Sequence, residues 1–150
     1  MASVLHFEDF SAGQVFDCGT YAVTAEEIFE FARQFDPQPH HLDEEAARKS
    51  ILGGLSASGW HTSAMAMRLF VDGLLSRTAT HGGAGVEDAR WMKPTRPGDV
   101  LSLTVTVTEL RAGRPRKPFG FVKFAWELRN QTEEIARFVV TAAVLHREGG

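Results

Sequence analysis

Residues 14–23, QVFDCGTYAV, alternate loosely between apolar and polar positions, the period-two pattern of a β-strand. The period then lengthens. Thr24 suits a helix N-cap, and Glu27 three positions on completes a capping-box pattern. Ile28, Phe29, Phe31 and Ala32 supply the apolar positions of a short helix. That helix should stop near Phe35, because Pro37 disfavours helical geometry at Asp36. Asp43 can cap a second short helix whose first turn carries Glu44 and Glu45, charges that favour a helix N-terminus. Residues 59–75, GWHTSAMAMRLFVDGLL, form the longest helical pattern. Arg68 and Asp72 are its only charges, which predicts that most of its circumference is buried.

The glycine-rich THGGAG that follows reads as a loop, after which three or four strands come in succession. VEDARWM, DVLSLTVTVTEL, GFVKFAWELRN and EIARFVVTAAVLH are rich in β-branched and aromatic residues and alternate at least in part. A strand, then helices, then consecutive strands predicts an α+β chain. The simplest way to bury all of it is a meander of antiparallel strands wrapped around the long central helix. That is a single hotdog fold, expected to occupy residues 1–150, since no repeat or long linker divides the chain.

Composition narrows the function. Apolar residues make up 43% and charged residues 23%, proportions that can fill a core at 150 residues. A net charge of −3 without blocks of like charge argues against a nucleic-acid surface and against electrostatic membrane binding. No run reaches the roughly 18 apolar residues of a membrane span. Cys18 is the sole cysteine, so no intrachain disulfide can form. The opening MASVLHFEDFSAG turns polar after three apolar residues and lacks a signal-peptide core, so a cytoplasmic location is expected.

The chemistry concentrates in FDPQPHHLDEEAA, residues 35–47. Pro37 and Pro39 fix two φ angles and push Asp36 and Gln38 toward extended geometry, so few backbone states are lost when the loop orders. Asp36 and His41 are a carboxylate and an imidazole, the pair suited to moving protons near neutral pH. Asp36 can equally cap the turn, and the two histidines can equally be surface residues. His40, His41 and Asp43 as metal ligands is a third reading, weakened because adjacent histidines usually point different ways.

Asp36-Pro37-Gln38-Pro39-His40-His41-Leu42-Asp43 resembles the D-x-N-P-x-H-x-D segment of the MaoC-like dehydratases, a family that includes the (R)-specific enoyl-CoA hydratases. GGLSASGWHTSA is similar to the family's glycine-rich entry to the central helix. Arg90-Trp91-Met92-Lys93-Pro94 followed by Arg96-Pro97-Gly98-Asp99 resembles its strand–turn–strand ending in P-G-D. The likeness runs from about residue 14 to 145, with two departures: Gln38 stands where the family pattern has asparagine, and Ser58 where many relatives have histidine.

The resemblance implies a hydratase/dehydratase that interconverts 2-enoyl-CoA and 3-hydroxyacyl-CoA. Asp36 and His41 would be the acid–base pair and His40 would not. Gly59, with Ser58, Trp60 and Gln38, would serve the thioester oxygen and the substrate. No metal and no separate cofactor is expected, coenzyme A being part of the substrate. A homodimer, or an assembly of dimers, is expected because one sheet leaves edges exposed. Trp60 and His61 can also be packing residues or pocket wall. RAGRPRKPFG, with Arg111, Arg114, Arg116 and Lys117, reads as a solvated hairpin or as a contact for the phosphates of coenzyme A. A hotdog thioesterase and a non-catalytic acyl-CoA binding module are the rival readings.

Overall fold

The structure is a computed structural model and describes residues 3–148. A five-stranded antiparallel sheet curls around one long helix. Strand β1 (Val15–Ala22) leads into α1 (Ala25–Phe35), and two short helices follow, α2 (Pro39–Leu42) and α3 (Glu44–Arg48). The central helix α4 (Gly59–Gly73) precedes β2 (Thr80–Trp91), β3 (Val100–Arg111), β4 (Phe119–Arg129) and β5 (Glu134–Leu145). This is the hotdog arrangement expected from the pattern of elements.

Local signals place the ends. The Thr24 hydroxyl accepts the Glu27 N–H at 3.2 Å, and Asp43 caps α3 by accepting the Glu45 N–H at 3.0 Å. Asp36 leaves the helical region at φ −150°, ψ 68°, as the following Pro37 requires. The long helix stops at Gly73, two residues before the expected end, and a 3₁₀ turn over Leu75–Arg77 follows.

Strand alternation builds the core. Leu101, Leu103, Val105 and Val107 of β3 and Val122, Phe124, Trp126 and Leu128 of β4 are buried on the face that receives α4. Met65, Ala66, Leu69 and Phe70 of α4 fill the concave side, with Phe70 against Phe124 at 5.1 Å and Trp126 at 4.9 Å between ring centres. The helix lies close to β1. A Cβ on Gly73 would stand 2.5 Å from the Cys18 Cα, so only glycine fits there. Burial at this contact pushes the Cys18 thiol up to about 11, which removes it as a nucleophile.

Three expectations are corrected. The strands do not form one continuous meander, because the sheet order is β1-β3-β4-β5-β2. Strand β2 pairs with β5, and Met92–Asp99 carries the chain across the end of the sheet to β3. The THGGAG segment is not a loop: it opens β2, where register shifts take up its glycines. Nor is α4 buried around most of its circumference. His61, Thr62, Met65, Ala66, Leu69 and Phe70 are buried, but Trp60 is 68% and Met67 41% exposed. The low charge of this helix therefore reflects two apolar faces, only one of which the chain covers itself.

Candidate active site

The loop after α1 and the N-terminus of α4 meet at one end of the sheet. Pro39 begins a single helical turn, so His40 and His41 sit on a helix rather than on an extended loop. His41 is buried. Its Nδ1 lies 2.7 Å from the Ser56 carbonyl oxygen, which can only accept, so Nδ1 carries the proton. In the neutral ring the lone pair is therefore on Nε2, which stands 3.5 Å from Asp36 Oδ2. That separation is too wide for a direct hydrogen bond.

Asp36 is held from its other side. Gln38 Nε2 donates to Asp36 Oδ1 at 2.6 Å, so the extra methylene of glutamine lets the amide reach the carboxylate. Burial works to raise the Asp36 pKa. Hydrogen bonds from the Ser58 hydroxyl and the Gln38 amide, with the charges of His41 and His40, outweigh it and hold the carboxyl below its ordinary value of 3.8. Asp36 is ionised at neutral pH. With the His41 ring in its neutral form, two acceptors, a carboxylate oxygen and an imidazole lone pair, face each other across a gap that one water can bridge by donating to both.

Ser58 joins this pair to the helix. Its Oγ accepts the Trp60 N–H at 3.3 Å as the N-cap of α4, and its hydroxyl helps hold the Asp36 pKa down. The helix geometry leaves the Gly59 N–H without an intrahelical acceptor, at the positive end of the dipole. Gly59 is constrained by a neighbour rather than by its backbone angles. A Cβ there would lie 2.5 to 2.8 Å from ring atoms of Trp91. His41, Ser56, Gly59, Thr62 and Trp91 line a cleft of about 280 Å³.

His40 does not point away from its neighbour as expected. Its ring sits 4.2 Å from the His41 ring and borders the same cleft. Consecutive residues diverge by only about 100° on a helical turn, against 180° on a strand, which is why the two rings stay together. Trp60, expected beside the substrate, lies on the outer face of α4 and packs edge-on against Trp91 at 5.4 Å. His61 stacks on Phe31 at 4.7 Å and 5°, and its buried Nδ1 has no partner among the described residues.

Several residues escaped sequence reasoning because their roles are tertiary. Arg96 donates to the carbonyls of Leu52 and Leu55, and Thr95 O accepts the Ala57 N–H at 2.9 Å. The Thr95 and Thr62 hydroxyls pair at 2.9 Å. These bonds staple the segment that aims the Ser56 carbonyl at His41. The turn supplying them is set by Gly98 at φ +87° and by Asp99, which accepts the Arg96 N–H at 2.8 Å. The R-P-G-D string was visible in the sequence, but its grip on the histidine was not.

The basic hairpin lies at the other end of the sheet. Trp91, which covers Gly59, is in register with Ala136, Leu128 and Leu103, whereas the hairpin starts at Arg111. Eight strand residues separate those levels, roughly 27 Å. Within one chain, therefore, the hairpin cannot reach the cleft. Asp72, the acid that a thioesterase reading would draw on, is paired with Arg68 at 2.8 Å near the far end of α4. Among the described residues no three His, Cys, Asp or Glu side chains cluster as metal ligands would.

A sheet wrapped around a central helix, with a carboxylate and an imidazole beside the helix N-terminus, is a hotdog fold carrying a candidate acid–base site. The family model described as the MaoC like domain matches residues 9–123, and the chain belongs to that family. It is 31% identical to the uncharacterized protein YdeM of Bacillus subtilis (strain 168) over 130 residues, covering 86% of this chain and 90% of that one. Its structure is similar to that of the MaoC-like dehydratase from Rhodospirillum rubrum, with TM-score 0.89 and 43% identity over 95% of this chain and 98% of that one. The (R)-hydratase from A. caviae involved in PHA biosynthesis shares the fold with TM-score 0.68 at 20% identity, over 93% of this chain and 99% of that one.

Proposed function

We propose that this protein hydrates 2-enoyl-CoA thioesters to (R)-3-hydroxyacyl-CoA, and dehydrates them in the reverse direction. The observation that carries the reading is the pair of facing acceptors, Asp36 Oδ2 and His41 Nε2, 3.5 Å apart beside the start of α4. A water donating one proton to each has its lone pairs free to attack C3 of the enoyl group. Asp36 takes the proton as the C–O bond forms, and that proton passes to C2 on the same face, so the net change is addition of one water. Negative charge gathers on the thioester oxygen meanwhile. The Gly59 N–H, backed by the dipole of α4, would receive it. His41 orients the water, and the Ser56 carbonyl keeps its tautomer fixed. Family membership and the shared fold of an (R)-hydratase support the same chemistry.

The test is a panel of 2-enoyl-CoA substrates followed by loss of enoyl absorbance, with chiral analysis of the product and a thiol assay in parallel. Loss of absorbance without thiol release supports hydration. Release of free coenzyme A would make the protein a thioesterase, and thioester binding with neither signal would make it a non-catalytic module.

We also infer that the working unit is a homodimer joined at β2. Among the described residues this strand has no partner on its outer side, and every residue from His81 to Trp91 is exposed. Val86 at 62% exposure stands beside the uncovered Trp60 and Met67 of α4. A long, unpaired edge next to an apolar helix face is stable only when covered, and a second copy presents the matching surface. Light scattering should give twice the chain mass. A monomer that keeps full activity at nanomolar concentration would refute this.

A further inference from the structure

A second cleft lies behind the first. It measures about 460 Å³ and runs between the outer face of α4 and the β2 side of the sheet. Met67, Val86, Ala89, Phe138 and Val140 give it an apolar lining. Among the described residues, Trp91 is the only one that borders both this cleft and the polar one holding His41 and Gly59. Its indole lies flat on the backbone of Gly59, where even a Cβ would collide with it. It is held there lightly. Trp91 Nε1 donates to Ser63 Oγ at 3.0 Å, Ser63 in turn donates to the Gly59 carbonyl at 2.9 Å, and the indole is 45% exposed.

We propose that Trp91 is a gate that sets which acyl chains this protein accepts, closing the apolar cleft to short chains and swinging off Gly59 to admit long ones. This rests on the acyl-thioester reading of the first cleft. The carbons beyond C3 must leave the neighbourhood of Asp36 and His41, and the apolar space adjoining that cleft lies past Trp91. Opening requires the loss of one hydrogen bond, to Ser63, and of an edge contact with Trp60. No strand or helix has to move. The gating side chain belongs to β2, so a second copy paired on that strand would roof the cleft and leave its floor to the acyl tail.

Binding separates the gate from the chemistry. Calorimetry of butyryl-, octanoyl- and dodecanoyl-CoA is run on wild type, Trp91→Ala, Trp91→Phe and Ser63→Ala, each checked for fold and oligomeric state. Turnover of crotonyl-CoA and 2-dodecenoyl-CoA is measured on the same samples. A methylene moved from water into an apolar channel is worth about fourfold in affinity. Opening the gate should therefore raise the dodecanoyl-to-butyryl affinity ratio at least tenfold in Trp91→Ala. Ser63→Ala, which keeps the indole but removes its latch, should move the ratio the same way by less. If Trp91→Ala folds poorly, Trp91→Phe and Ser63→Ala carry the measurement. An unchanged ratio in folded variants of an active enzyme overturns the gate and leaves the hydratase reading standing, as would a partner chain filling the cleft. A shifted ratio in a protein that hydrates nothing supports the gate and refutes the hydratase reading. Failure of every acyl-CoA to bind refutes both.

Discussion

Replacing Asp36 with asparagine should stop the reaction without harming the fold, and the geometry says why. Gln38 Nε2 donates to Oδ1, so the asparagine will turn its carbonyl oxygen toward that amide. Its own NH₂ then faces His41 Nε2, which carries a lone pair because Nδ1–H is engaged with Ser56. Two facing acceptors become a donor and an acceptor, and the 3.5 Å gap that suits a bridging water can close to a direct hydrogen bond. The variant therefore loses both its base and its water. A neutral hydrogen bond contributes about 1 kcal/mol, which moves the melting temperature of a chain this size by roughly 2–4 °C, so stability should stay within that range of wild type. Turnover of the best enoyl-CoA substrate should fall by about 10² to 10⁴, a barrier increase of about 3–5 kcal/mol. His41→Ala should lose a comparable factor. Because both groups act on one water, the double variant should fall no more than about tenfold below the weaker single variant, far short of the product of the two. Steady-state hydration with calorimetric melting decides it. Asp36→Asn that keeps turnover within tenfold of wild type, or a double variant showing the full product, would falsify the shared-water arrangement. The His40→Ala control should lose much less than His41→Ala, since His40 touches the histidine ring but not the carboxylate gap.

Gly59→Val must displace the Trp91 indole, whose ring atoms lie 2.5 to 2.8 Å from the new Cβ. Crowding at the N–H donor should lower turnover by about 10²-fold, and wild-type turnover in a folded variant would remove Gly59 from the oxyanion site. Gln38→Leu takes a donor from Asp36, whose folded-state pKa lies below 3.8. The ionised carboxylate contributes stability above that value and loses it as pH falls through the folded pKa, so the variant should shift both the acid limb of the rate profile and acid unfolding to higher pH. Unmoved limbs in Gln38→Leu would show that the amide does not tune the carboxylate. His61 has a pKa lowered by burial from 6.5, so it favours the folded state above 6.5 and loses that contribution as pH drops through the folded value. His61→Phe keeps the stack on Phe31, removes the unpartnered nitrogen, and should flatten the fall in melting temperature below pH 6.5 with turnover unchanged.

What the sequence made legible was local. Thr24 and Asp43 announced helix starts because capping is decided within three residues, and Pro37 announced the end of α1 for the same reason. The alternation in β3, β4 and β5 survived because one face of each strand is buried along most of its length. Legibility failed where distant segments meet. Nothing in THGGAG says that β5 will pair with it, since glycines carry no period. The angle between His40 and His41 depended on one unforeseen helical turn. The hold of Arg96 on the Ser56 segment joins residues some forty positions apart, and the seat of Trp91 on Gly59 joins a strand to a helix.

The sheet order has a consequence for how the chain is made. Only β3, β4 and β5 pair with their sequence neighbours, while β1 waits for β3, with Val15 opposite Thr106, and β2 for β5, with Thr80 opposite Val144. During synthesis, Asp36, His41 and the whole of α4 leave the ribosome before β3 and β4, whose buried faces complete the cover of α4. At 5–20 residues per second, the stretch from the end of α4 to the end of β5 takes on the order of 4 to 15 seconds to emerge. Through that interval the nascent chain has only β1 to lay against the apolar helix, and β1 itself has no strand partner, the kind of surface that chaperones hold. The hairpins β3–β4 and β4–β5 can close within microseconds of appearing, and they form the platform on which the older half of the chain, with its candidate site, finally settles.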